Sequence, residues 1–276
     1  LVSLDPSSGV RREALTFPYA ADAAPSPDGR WVAIEAEGDV YLAAWPPARG
    51  GRAAPRIDKD AGEVPVRRLS TEGGLFPRWR DSTSLEFGSG NRFFSFDARS
   101  GRMDTVEVRL SVSRDTPTGT IALTGARLVT LKDRRVIENG TIVVKGSRIA
   151  CVRPCSTRGA DRVLDLRGKT IVPGLVDTHA HHLTEGTVIP QHRSSSALYL
   201  AYGVTTILDP AAPSASAFPI AELIEAGKLV GPRSFSTGEP QNGSPPYPPG
   251  GPTVPRITSS TDAEHLVNRL ASWGAV

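Results

Sequence analysis

Three rhythms of apolar and polar positions succeed one another along the chain. Up to about Asp115, short apolar runs lie between turns. Pro25-Ser26-Pro27-Asp28-Gly29-Arg30 leads into Trp31-Val32-Ala33-Ile34, and Asp39-Val40-Tyr41-Leu42 follows. A Pro-Asp-Gly turn supplies the restricted and the positive φ that a tight turn needs, and the β-branched and aromatic residues behind it enter a strand. A weaker copy runs through Phe76-Pro77-Arg78-Trp79-Arg80-Asp81, then Ser84-Leu85-Glu86-Phe87, then Phe93-Phe94-Ser95-Phe96-Asp97. Asp28 and Asp81 stand 53 positions apart, as do Ile34 and Phe87. Repetition at such a period predicts propeller blades, of which residues 1–115 hold about two. A closed propeller needs at least about four.

From Thr116 to Val172 the pattern stays strand-rich without the repeat. Thr120-Ile121-Ala122-Leu123-Thr124, Arg127-Leu128-Val129-Thr130-Leu131, Gly140-Thr141-Ile142-Val143-Val144, Arg148-Ile149-Ala150-Cys151-Val152 and Val163-Leu164-Asp165-Leu166 alternate with glycine-containing turns. That spacing predicts a small β-sandwich. Beyond Pro173 strands alternate with helices. Leu175-Val176-Asp177-Thr178, Val204-Thr205-Thr206-Ile207-Leu208 and Arg233-Ser234-Phe235-Ser236 read as strands. Ser194 to Tyr202 and Ile220 to Ala226 read as helices closed by Gly203 and Gly227. A last helix is expected from Thr261, capped with Glu264, with Leu266, Val267, Leu270 and Trp273 as its buried stripe. Strand–helix alternation predicts parallel βα units, and so a doubly wound sheet or a (β/α)8 barrel.

Composition adds limits. The 276 residues are 39% hydrophobic and 22% charged, enough to build a core. A net charge of +3, from 32 basic and 29 acidic residues mixed along the chain, does not point to nucleic acid. No apolar run approaches the roughly 18 residues of a membrane span. Cys151 and Cys155 are either one local bridge or two small core residues. Gly238 to Pro255 contains seven prolines and reads as a substrate-facing loop with Tyr247 near its tip, or as a spacer.

Histidine carries the candidate chemistry. Four of the five histidines fall between positions 179 and 192. His179-Ala180-His181 ends the first strand of the alternating stretch, and residues two apart on a strand share a face. Both imidazoles can then meet a zinc-type divalent ion at about 2.0–2.1 Å. Asp177 has the same parity and is the candidate to orient one of these ligands. His182 points the other way, and His265 lies off its helix's apolar stripe and is expected in solvent.

Here the residues acquire a resemblance. Pro173-Gly174-Leu175-Val176-Asp177-Thr178-His179-Ala180-His181 resembles the first-strand metal motif of the amidohydrolase superfamily. Ala201-Tyr202-Gly203-Val204-Thr205-Thr206 with Asp209-Pro210 is similar to the next helix–strand unit of its imidazolonepropionase-related branch. The strands before it resemble that family's composite β-domain, and the Pro-Asp-Gly repeats resemble TolB-type or WD40-like propellers. The resemblance implies a multidomain β plus α/β chain. Its parts are a partial propeller over 1–115, a β-sandwich over 116–172, and the first part of a (β/α)8 hydrolase barrel over 173–276.

It also implies one or two divalent ions, zinc foremost, held by His179 and His181. The implied reaction is hydrolysis of amide or cyclic amide carbon–nitrogen bonds in a small-molecule or peptide substrate. A dipeptidase of the same superfamily and a non-catalytic, propeller-based binding protein are the alternatives. A full barrel takes about 250 residues, whereas Pro173 to Val276 is 104. The sequence is therefore expected to be a fragment that lacks the family's lysine, later histidines and aspartate. Lys228 sits before the third strand, out of place for the bridging ligand. The propeller association favours a periplasmic or secreted location, and oligomeric state is left open.

Overall fold

The 53-residue repeat folds twice. In a computed structural model, residues 1–17, 20–46, 54–59, 62–181, 189, 191–241 and 257–276 are described. Strands β1 (Val2–Leu4) and β2 (Arg11–Glu13) form a hairpin. Four strands then form an antiparallel meander: β3 (Ala20–Pro25), β4 (Trp31–Ala36), β5 (Asp39–Ala44) and β6 (Val66–Arg68). A second meander follows with β7 (Leu75–Trp79), β8 (Ser84–Ser89), β9 (Arg92–Asp97) and β10 (Met103–Glu107). Trp31 and Ser84, the first residues of β4 and β8, are 53 positions apart, and so are Asp39 and Arg92, the first residues of β5 and β9.

The turns explain the repeat. In the first copy the Gly29 N–H bonds the Ser26 carbonyl at 2.9 Å with Gly29 at φ +67°, and Asp28 accepts the Ser26 hydroxyl at 2.7 Å. In the second copy no glycine is present. Asp81 closes the turn by accepting the backbone N–H groups of Thr83 and Ser84, each at 2.8 Å. Alternation along β4 then feeds two cores. Ala33 packs with Val40, Leu42, Leu85, Phe87 and Phe96, while Val32 and Ile34 pack with Leu15, Tyr41 and Ile57 on the other face. Phe87 stacks on Phe94 at 4.9 Å, and the Trp79 indole donates to the Ala24 carbonyl at 2.9 Å.

Five strands follow: β11 (Thr120–Val129), β12 (Val136–Lys145), β13 (Arg148–Arg153), β14 (Arg162–Asp165) and β15 (Thr170–Ile171). They form one sheet, ordered β13-β12-β11-β14 with β15 also on β11, where a two-layer sandwich was expected. The reason is the length of β11. One edge takes β12 antiparallel, and the other takes β14 along Ile121–Thr124 and β15 along Arg127–Leu128, both parallel. Cys151 and Cys155 are joined as a disulfide, which resolves the two readings of the pair.

The alternating stretch gives a three-stranded parallel sheet, β16 (Leu175–Asp177), β17 (Val204–Asp209) and β18 (Arg233–Ser236), in that order. Helix α1 (Ser194–Ala201) joins the first two strands and α2 (Ser214–Glu225) the next two. Helix α2 begins six residues before the expected Ile220 and carries Pro219 in its interior. Ala217 and Ile220 on that helix are buried with Ile207 of β17, and this burial offsets the hydrogen bond that proline removes. Lys228 pairs with Asp115 at 2.7 Å, so its ammonium is engaged away from the strand ends.

By its contacts the chain divides into two compact units, 1–110 with 238–276, and 111–237. The five-stranded and the parallel sheets thus share a unit. The last helix, α3 (Ser260–Trp273), groups with the meanders. Its cap is Ser259, which accepts the Asp262 N–H at 3.1 Å, in place of the expected Thr261 and Glu264 box. Leu266 and Leu270 are buried as expected, but Val267 is exposed and Arg269 takes the buried place. The Arg269 guanidinium donates to the Glu37 and Gly38 carbonyls at 3.4 and 3.2 Å and lies 5.4 Å from the Trp273 ring. His265, expected in solvent, is largely covered and contacts Arg68, with Asp39 3.7 Å away.

Candidate metal centre

The His179-Ala180-His181 run lies just beyond the C-terminal end of β16. Its backbone still follows the neighbouring strand, since the Ala180 N–H bonds the Leu208 carbonyl at 2.9 Å. The Ala180 methyl is buried beside Ile207, Ala212 and Ile220. Alternation then sends the residues on either side of Ala180 away from that core. Both histidines are exposed, and their rings stand at right angles with centroids 5.0 Å apart.

That separation suits a shared ion. Two imidazoles bound at about 2.0–2.1 Å with near-tetrahedral angles have centroids about 5 Å apart. The two rings can therefore supply two nitrogen ligands of a four-coordinate shell. Among the described residues no group of three or more His, Cys, Asp or Glu forms a metal cluster, so the fit covers half of such a shell.

Asp177 meets His179 through the backbone, where its carboxylate accepts the His179 N–H at 3.0 Å and so fixes the turn out of β16. The carboxylate that meets a ring is that of Asp209. Its Oδ1 lies 3.3 Å from His181 Nδ1, and Asp209 is fully buried while the His181 side chain is 52% exposed. Asp209 ends β17, and the same Oδ1 accepts the Ala211 N–H at 3.2 Å. The backbone N–H and hydroxyl of Thr237, after β18, bond the carbonyls of Asp209 and Pro210 at 3.3 and 2.7 Å. All three parallel strands thus contribute to holding the histidine pair.

Sequence reasoning passes over Asp209 as a site residue. Its signal is the same as that of the histidines: a polar residue closing an apolar strand, at the sheet edge where α/β proteins gather their ligands. His192 is exposed on the segment before α1. Tyr247 and His182 lie outside the described residues.

No family model matches the chain. Over 60 residues it is 42% identical to a 5-methylthioadenosine/S-adenosylhomocysteine deaminase of Bacillus cereus. That match covers 20% of this chain and 14% of the deaminase, so the chain spans about one seventh of the curated relative's length. Among solved structures, it is similar to a Bifidobacterium longum protein assigned as a prolidase, with 26% identity, a TM-score of 0.48, and coverage of 58% of this chain and 40% of that one. A Xaa-Pro dipeptidase with bound methionine is also similar, at 19% identity and a TM-score of 0.46, covering 56% of this chain and 45% of the other.

Proposed function

We propose that this chain carries the first part of a metal-dependent hydrolase acting on carbon–nitrogen bonds of a small-molecule or peptide substrate. The observation behind this reading is the His179–His181 pair, two exposed rings 5.0 Å apart at a parallel strand end, set by the buried methyl of Ala180. The 42% identity to a deaminase supports the same reaction class. His179 and His181 would hold the ion. A zinc-type ion, when bound, lowers the pKa of its water toward neutrality and supplies the hydroxide for attack on an amide-type carbon.

This chain's own residues do the placing. Ala180 anchors the strand end in the core, Asp177 fixes the turn, and the rings stay open to solvent on the side where substrate and water arrive. In the same proposal the parallel sheet is the opening of a (β/α)8 barrel and the two meanders are propeller blades. Their shared 53-residue register supports the latter. A location outside the reducing cytosol also belongs to this reading, supported by the Cys151–Cys155 disulfide.

The test is zinc binding, measured by chelator competition on the chain itself, with His179→Ala/His181→Ala as the comparison. The wild type is expected to bind and the double variant to lose binding, with circular dichroism checking that the variant is folded. Equal zinc affinity in the two proteins would reject the reading.

A further inference from the structure

We infer that Asp209 is a positioning residue that sets the tautomer of His181, leaving Nε2 as the ligand atom offered from that position. The inference rests on the metal reading for its use, but its structural content stands on separate observations.

The buried carboxylate faces Nδ1, at 3.3 Å. A carboxylate is an acceptor only, so the contact is favourable when the ring carries its proton on Nδ1. The opposite tautomer sets a nitrogen lone pair against a carboxylate oxygen that has no water to turn to, because Asp209 is fully buried. With Nδ1 protonated, the lone pair sits on Nε2, at the other edge of a half-exposed ring.

The carboxylate cannot readily swing away. Its Oδ1 also holds the Ala211 N–H, the Leu208 carbonyl before it is bonded to Ala180, and the carbonyls of Asp209 and Pro210 are bonded to Thr237. His179 is treated differently. Among the described residues its contacts are its backbone N–H on Asp177 and the edge of the His181 ring. The two ligands of one site are thus unequal, one with its tautomer fixed by the next strand and one without.

Long-range proton–nitrogen spectra of 15N-histidine-labelled chain, recorded with the imidazoles neutral, test this without metal. His181 is expected as the Nδ1–H tautomer. Asp209→Asn, which presents an N–H donor as well as an oxygen, is expected to shift His181 toward a mixture while the His179 signals stay in place. Zinc affinity should then fall by about 10–100-fold.

A wild-type His181 carrying its proton on Nε2 overturns the inference whether or not any variant folds. So does unchanged zinc affinity in a folded Asp209→Asn. If wild-type His181 is Nδ1–H but the chain binds no zinc, the positioning role stands and the hydrolase reading falls. If zinc binds and His181 is Nε2–H, the reverse holds.

Discussion

The meander unit and the parallel sheet obtain order by different means. In the meanders the same register is used twice, and the central strands β4, β5 and β8 are largely buried, so they are specified by apolar residues and a local turn. In the parallel sheet, β16 is an edge strand whose Leu175 and Val176 are exposed, and its order comes from one neighbour and from polar contacts beyond the strand ends. Packing dominates where the sequence repeats itself. Polar positioning dominates where the candidate chemistry sits.

The comparison breaks most sharply at the cores. Phe87 is buried and stacked, and Phe87→Ala should cost about 3–5 kcal/mol. Hydrogen exchange should show protection lost across residues 20–46 and 62–107 and kept across 204–236. Ile207→Ala, at a fully buried position of β17, should do the opposite at about 2–5 kcal/mol. Loss of protection in both regions from either substitution would show that the two units do not order separately.

A smaller effect is expected where α3 meets the meanders. Gly38 has φ +79°, and a Cβ there would collide with the Arg269 guanidinium. Gly38→Ala should destabilise α3 by about 1–3 kcal/mol, read as faster exchange over 260–273. Wild-type protection there would remove Arg269 as the anchor.

Acid should loosen the same helix. Burial pushes the His265 imidazole below its ordinary 6.5, Arg68 and Arg269 act in the same direction, and Asp39 and Asp262 oppose them. The unfolded chain therefore takes up the proton more readily than the folded one. The stability this group contributes is present above about pH 6.5 and is lost as the pH falls through the lower folded value. Protection of 260–273 should fall on acidification in the wild type and fall less in His265→Gln.

Least of all should change at Val267. It is 60% exposed, so Val267→Ala should move stability by no more than about 0.5 kcal/mol in denaturant melts. A larger loss would return Val267 to the buried stripe that helical spacing assigns it.

Much of the fold was legible because the deciding contacts are local. The strands at Trp31, Asp39, Ser84 and Arg92 follow from alternation and turn residues a few positions away. So do β18 and the glycine after α1. The start of α2 was not legible, because Pro219 argues against a helix that tertiary burial then maintains. The single sheet of β11 to β15 was hidden too, since strand spacing counts strands without saying which edge each one takes.

By itself the sequence determined where most of the strands and helices lie, and that two imidazoles leave one strand tip on the same side. Tertiary structure alone decided their companions. Arg269 reads as a surface charge until the carbonyls of Glu37 and Gly38 and the ring of Trp273 receive it. Asp209 reads as a strand end until parallel pairing of Asp177 with Ile207 carries it across 28 positions to His181. Periodicity fixes the face a side chain takes, because backbone geometry is local. What waits on that face depends on strand pairing and packing between distant segments, which no local pattern encodes.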